Sequence, residues 1–372
     1  RRRHTRLQGD WSSDVCSSDL IALLALYRPG PLGSGMVSDF VSNKSGKTKV
    51  RYELKELEPI LKDTYGMIVY QEQVMQIASE IGGFSLGEAD MLRRAMGKKQ
   101  KSVMDEMRES FLDGAHKKRF PKEKAMRIFD LCYKFAEYGF NKSHSAAYAL
   151  ISYQTAYLKA NYPHEYMAAL LSSVSSTSDK TSLYIQECQD MGLTVLPPSV
   201  QDSLYDFTVV GAVGDEKKKA IRFGLGAIKN IGEGAIESII HERADLPYSS
   251  LSDFVMKVDL KQVNKRVIES LIKSGACDSF GDRSQLICIY EQVIERAQVT
   301  LREQKNGQVG LFGDGLTGKG FSIQDLLESD YIQLSNEETL AMEKDMIGLY
   351  ISGHPLDRSE EHTSELQSPC NL

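Results

Sequence analysis

Asn141, Lys142, Ser143, His144 and Ser145 stand side by side in the stretch YGFNKSHSAAY (138–148), directly before a run of small and aromatic residues. An ammonium, an imidazole and three short polar side chains at the start of a helix can grip an anion, because the free backbone N–H groups there add to the side-chain donors. Helix capping is the plainer alternative, since Asn141, Ser143 or Ser145 can each cap without a ligand. A cap accounts for one of these residues and leaves Lys142 and His144 unexplained.

A second cluster, MLRRAMGKKQK (91–101), carries Arg93, Arg94, Lys98 and Lys99. On a helix these basic groups outnumber the nearby acids, Glu88 and Asp90, which precede them where a helix start tolerates negative charge. Arginine offers a planar fork suited to phosphate, and lysine a point charge. One charge pair at ~4 Å is worth roughly 4 kcal/mol at an effective dielectric near 20, before desolvation. Three or four such groups are therefore enough to hold a triphosphate. A charge run is more often a solvated face, but Gly97 at its centre permits close backbone approach.

Three weaker signals follow. LYRPGPLGSG (26–35) is a rigid Pro/Gly loop presenting Arg28, a pattern that on its own is usually turn chemistry. AIKNIGEGAIESII (227–240) has the pattern of a helix-hairpin-helix. Lys229 and Ile231 lead into Gly232-x-Gly234, whose backbone N–H groups can cradle a DNA phosphate without reading sequence. An ordinary helical hairpin fits the same short pattern. QVGLF (308–312) places Gln308, Leu311 and Phe312 inside a Gly-rich polar stretch, 303–320, where two large apolar residues suit a partner's pocket. Packing back onto the chain's own domain is the alternative.

These residues need a scaffold, and the rest of the chain supplies a mainly α one in several domains. Apolar residues recur at helical spacing over 65–81 and 124–138. Residues 146–162 are apolar nearly all round, which predicts a buried helix, with Pro163 ending it or starting the next. NKRVIESLIKSGACDSFG is a short amphipathic helix with a glycine stop. Minor strand content is expected near 193–226.

At 372 residues and 41% hydrophobic, the chain can bury a substantial core. A net charge of −6 gives no global attraction for nucleic acid, so any such role rests on local patches. The six cysteines show no metal spacing and suit a reducing cytosol. No apolar run reaches membrane-spanning length, which predicts a cytoplasmic protein without a membrane partner. There is no D-x-D pair, Walker loop or G-x-S-x-G, so two-metal chemistry has no visible carboxylates here and no metal site is expected.

The two ends read differently from everything between them. RSEEHTSELQS (358–368) can be encoded by a nucleotide string whose reverse complement encodes DWSSDVCSSDL (10–20). That string looks like a short-read sequencing adapter, and RRRHTR is similar to a translation of its index primer. Residues 1–20 and 358–372 are accordingly expected to be non-native, with no weight on Trp11 or Cys16.

Taken together, ALYRPGPLGSGMV, YGMIVYQEQVMQIA, ADMLRRAMGKK, YGFNKSHSAAYALISYQTAYLKANYP, QVNKRVIESLIKSGA and GLYISGHPLD resemble the bacterial DNA polymerase III alpha-subunit family (family C), over residues 21–357. The resemblance implies a polymerase fingers domain at 21–210, a helix-hairpin-helix DNA-binding module at 211–281, and a helix with a clamp-binding linker at 282–335. The start of an oligonucleotide-binding-fold region follows at 336–357. It implies nucleotide binding by Arg28, Arg93, Arg94, Lys98, Lys99, Lys142, Ser143 and His144, and DNA contact at Lys229, Ile231, Gly232 and Gly234. Sliding-clamp docking falls to Gln308, Leu311 and Phe312. The whole enzyme would extend a primer by deoxynucleotidyl transfer with Mg²⁺ held by palm aspartates upstream of Ile21. The fragment alone is expected to be inactive. Its partners would be primer–template DNA, deoxynucleoside triphosphates, the sliding clamp and other replicase subunits. A damage-tolerant paralogue, or a non-catalytic DNA-binding and clamp-docking module, are the alternatives.

Overall fold

The computed structural model describes residues 17–98, 101–135, 138–175, 178–212, 215–244, 246–305 and 333–353. These residues are mainly helical, with one three-stranded sheet. The chain divides into two compact units, one up to Ala156 and one from Tyr157. Met167, Leu171, Ile185 and Cys188 belong to the core of the second unit.

The first unit is built from α1 (Ser17–Leu26), α2 (Met36–Lys44), α3 (Gln71–Glu80), α4 (Leu86–Gly97), α5 (Lys101–Lys117), α6 (Lys122–Phe135) and the greater part of α7 (Lys142–Asn161). One face of each of α3 to α6 closes a core of Val74, Ile77, Leu92, Met104, Phe111, Ile128, Phe129 and Phe135. Phe111 sits between Phe84 and Phe129, with ring centroids 6.1 and 5.4 Å away, an edge-biased arrangement that aromatic quadrupoles favour. α1 begins at Ser17, inside the segment expected to be non-native. Asp19 is fully buried there and accepts from Lys44 Nζ (2.7 Å) and Tyr65 Oη (2.9 Å).

The helix expected over 65–81 starts only at Gln71. Tyr65 and Gly66 both take positive φ, 52° and 82°, which turns the chain and breaks the helical path. Tyr70 is extended and bridges to Phe140. The start of α3 is fixed by the buried amide of Gln73. Its oxygen accepts from Val69 N (2.8 Å) and Tyr70 N (3.0 Å), and its nitrogen donates to Ile60 O (3.1 Å) and Thr64 Oγ1 (2.8 Å).

α7 corrects one expectation. It is not a buried helix: Ser145 and Ala149 are its buried residues, whereas Tyr148, Leu150, Ile151 and Tyr153 are 53–60% exposed. An all-round apolar pattern records that a helix can be covered, not that these residues cover it.

In the second unit, α8 (Pro163–Ser173) and α9 (Ser178–Asp190) precede β1 (Val195–Leu196), β2 (Thr208–Ala212) and β3 (Asp215–Arg222). The sheet order is β1-β3-β2, with β1 parallel and β2 antiparallel to β3. This is the strand content expected near 193–226. α10 (Glu233–Glu242), α11 (Leu251–Lys257), α12 (Lys265–Lys273), α13 (Arg283–Lys305) and α14 (Asn336–Ile347) follow. They share a core with Ile221, Phe223, Ile236, Phe254, Leu271 and Leu286. Ser250, Asn264 and Ser335 cap α11, α12 and α14 through side-chain oxygens.

Candidate functional site

In the first unit, two clusters far apart in sequence are joined through Gln71. Arg93 lies on α4 and donates from Nη1 to Gln71 Oε1 (3.3 Å). Gln71 Nε2 donates onward to Gly139 O (3.3 Å) in the loop before α7. The RRAMGK helix and the NKSH loop therefore meet on one surface.

Asp90 is shared between the two arginines, with Arg93 Nη2 at 2.7 Å and Arg94 Nη2 at 2.8 Å. The hydrogen bond from Arg93, aided by the charges of both arginines, holds the Asp90 carboxyl below the usual range. Glu88 contributes nothing to this pairing, because it accepts from Ser85 N and Oγ, each at 2.8 Å, at the start of α4. One carboxylate facing two guanidiniums leaves positive charge in excess, and exposed Lys98 adds to it. Lys99 lies outside the described residues.

The loop itself resolves the choice between cap and ligand group residue by residue. Asn141 is the cap, its Oδ1 accepting from His144 N (2.8 Å) and Ser143 Oγ (2.6 Å). Ser145 is buried and donates to Ile21 O, a packing role. Lys142, Ser143 and His144 are exposed. Lys142 Nζ lies 5.4 Å from the Tyr70 ring centroid, and the His144 ring sits 5.5 Å from Phe140 and 4.7 Å from Tyr148. The Lys142 backbone N–H is taken by the Glu72 carboxylate, at 3.0 and 2.9 Å.

Arg28 reaches the same loop from beneath. Its Nη2 donates to Tyr138 O (2.6 Å), its Nε donates to Ala25 O (2.8 Å), and its guanidinium lies 4.5 Å from the Phe140 ring centroid. Burial lowers its pKa from the ordinary value. With these bonds Arg28 braces the loop more than it faces solvent. Gln71 and Glu72 were missed by sequence reasoning, because a polar pair at the start of an amphipathic helix reads as solvated surface.

In the second unit, the hairpin differs from expectation in its first arm. That arm is a single 3₁₀ turn, Leu225–Ala227, not a helix, and α10 is the second arm. Gly224 and Gly226 press so closely on Tyr205 and Asp206 that the chain tightens here. Asn230 takes φ 66° and Gly232 is the N-cap of α10. Lys229 is held by its N–H on Met346 O (3.0 Å), with Nζ 3.8 Å from Asp345. Ile231 packs against the core and anchors the turn. A Cβ built on Gly232 would meet nothing within 4 Å, so the turn opens to solvent. On Gly234 it would lie 2.9 Å from the tip of Gln262.

Gln308, Leu311 and Phe312 lie outside the described residues. Among the described residues no group of three or more His, Cys, Asp or Glu is placed to hold a metal ion. Among them, too, no helix is long and apolar enough to cross a membrane.

Comparison with known proteins finds a family match in each of the two units. Residues 15–119 match the bacterial DNA polymerase III alpha subunit finger domain, and residues 192–286 match a helix-hairpin-helix motif. DNA polymerase III subunit alpha of Campylobacter jejuni is 45% identical over 94% of this chain and 29% of the relative. The Helicobacter pylori protein of that name is 45% identical over 92% and 29%, and that of Pseudomonas aeruginosa 44% over 93% and 31%. The chain thus spans about three tenths of the length of the curated relatives it matches. It belongs to the bacterial DNA polymerase III alpha-subunit family, as a segment carrying finger and helix-hairpin-helix regions.

Proposed function

We propose that this segment supplies nucleotide binding, DNA contact and clamp docking to a DNA-directed DNA polymerase that extends primers in chromosomal replication. The observation that carries the reading is the Arg93–Gln71–Gly139 link, which sets the α4 arginines beside exposed Lys142 and His144. A deoxynucleoside triphosphate fits such a surface: guanidiniums take phosphate oxygens through paired donors, and the ammonium and imidazole add charge and hydrogen bonds. Mg²⁺ would be held elsewhere in the whole enzyme, and the fragment alone is expected not to extend a primer. The setting is the bacterial cytoplasm, with primer–template DNA, the sliding clamp and other replicase subunits as partners.

In the full-length subunit, Arg93→Ala is expected to raise the nucleotide KM or lower kcat while primer–template affinity is kept. Unchanged steady-state kinetics in both Arg93→Ala and Arg94→Ala would remove the triphosphate assignment.

The Gly232–Gly234 turn is proposed to contact a DNA phosphate through backbone N–H groups, which carry no base information. Gly232→Val is a clean probe because no protein atom lies near the new Cβ. It is expected to weaken duplex binding equally for all sequences, with a small loss of thermal stability because valine caps a helix less well than glycine. The check is a salt titration of duplex affinity, where contact with phosphate shows as a slope. Identical curves for variant and parent would exclude the turn as a DNA contact.

A damage-tolerant paralogue is the second reading, and a QVGLF segment that binds the clamp would favour the replicative one.

A further inference from the structure

Three consecutive carbonyls of the loop before α7 each have one dedicated donor. Tyr138 O accepts from Arg28 Nη2 (2.6 Å), Gly139 O from Gln71 Nε2 (3.3 Å), and Phe140 O from the Gln71 backbone N–H (2.9 Å). Two residues on, the Lys142 N–H donates to both oxygens of Glu72. The first two residues of α3 thus hold the loop on one side, while Gln71 Oε1 holds Arg93 on the other (3.3 Å).

We propose that Gln71 and Glu72 are positioning residues of the nucleotide site, setting the separation between the α4 guanidiniums and the Lys142–His144 side chains. This inference rests on the reading of that surface as the triphosphate grip. The chemistry of the pair is specific. Gln71 must accept from a guanidinium and donate to a carbonyl at once. A neutral amide does both, whereas a carboxylate cannot donate and an ammonium cannot accept. Glu72 places its charge at the N-terminus of a 20-residue helix, where the helix dipole favours an anion.

The backbone behind both residues has little freedom. The next residue, Gln73, is buried and its amide makes four hydrogen bonds to residues 60–70, so α3 starts from a fixed platform. The Gln71, Glu72 and Arg28 side chains tie the loop to this platform, in addition to the backbone bond from Gln71 N–H to Phe140 O. One consequence concerns how phosphate is held. Because Glu72 already occupies the Lys142 N–H and Ser143 Oγ donates to Asn141 Oδ1, the grip falls to the Lys142 and His144 side chains.

The test uses the full-length subunit, with nucleotide KM, kcat, primer–template affinity and Tm measured for each variant. Gln71→Leu removes both side-chain bonds. It is expected to raise the nucleotide KM about five- to tenfold, as one or two net hydrogen bonds would, with Tm and primer–template affinity kept. Gln71→Glu retains the acceptor for Arg93 but not the donor for Gly139, and is expected not to restore KM. Glu72→Ala should raise KM similarly, and Glu72→Gln, which retains an oxygen for the Lys142 N–H, should recover most of it. If Arg93→Ala raises KM while Gln71→Leu, Gln71→Glu and Glu72→Ala stay within twofold of the parent, the positioning role is overturned and the site survives. If Arg93→Ala and Lys142→Ala also leave KM unchanged, the site reading fails and the positioning role fails with it.

Discussion

Replacing Leu311 and Phe312 together by alanine is expected to weaken binding to the sliding clamp by at least about two orders of magnitude. A short extended peptide binds a preformed pocket through a few buried apolar anchors, with a polar residue fixing its register. In the proposed docking, Leu311 and Phe312 would serve as the anchors and Gln308 as the register residue. Burying each anchor is worth roughly 1.5–3 kcal/mol, and every ~1.4 kcal/mol is tenfold in affinity. The pair together therefore covers at least a hundredfold if the two add. Clamp docking needs no catalytic carboxylate, so titrating clamp with this chain and its double variant is enough. Equal affinities would make QVGLF an ordinary linker.

The second large effect concerns stability. Glu343 on α14 is 1% exposed, and its oxygens collect four donors: Ile351 N, Ser352 N at 2.9 Å, Ser352 Oγ, and Arg283 Nη1 at 3.3 Å. Arg283 is itself buried and clasps Asp278 through Nε and Nη2, both at 2.9 Å. The network ties α13 and α14 to the GLYISG segment, 348–353. Removing one partner of a buried pair leaves the other charge in low dielectric without full compensation, typically at 3–5 kcal/mol. Because Arg283 keeps Asp278, Glu343→Ala is expected near the lower end, about 3 kcal/mol. Denaturant titration followed by far-UV circular dichroism measures it. A loss under about 1 kcal/mol would mean that Glu343 is dispensable.

Much of this organisation was legible in the residues, and the exceptions have physical reasons. The helical spacing of 124–138 became α6, the strand signals near 193–226 became a three-stranded sheet, and Gly275 stopped α12 as read. Spacing could not show where α3 begins, because φ at Tyr65 and Gly66 is set by the local turn and not by apolar periodicity. It also misjudged α7, since periodicity reports how apolar a helix is and not what lies against it. At the candidate site, the charged residues were legible because Arg, Lys and His in unusual company stand out. Asn141 as cap was among the alternatives, and the structure selects it. Gln71 and Glu72 were not legible. Their importance comes from contacts 22 to 70 residues away in sequence, with Arg93, Gly139 and Lys142. Arg28 was legible as a presented cation, but three contacts with the protein itself turn it into a brace.

The central claim is that the α4 arginines and the first turn of α7 form a single anion-binding surface. A double-mutant cycle on Arg93→Ala and Lys142→Ala in the full-length subunit tests it most directly, with kcat/KM for the incoming nucleotide as the readout. Residues serving one bound group and linked through shared partners couple by about 0.5–3 kcal/mol. Each single variant should lower kcat/KM, and the double variant should lose less than the sum of the two by at least about 0.5 kcal/mol. Losses that add fully, or single variants indistinguishable from the parent, would contradict the account.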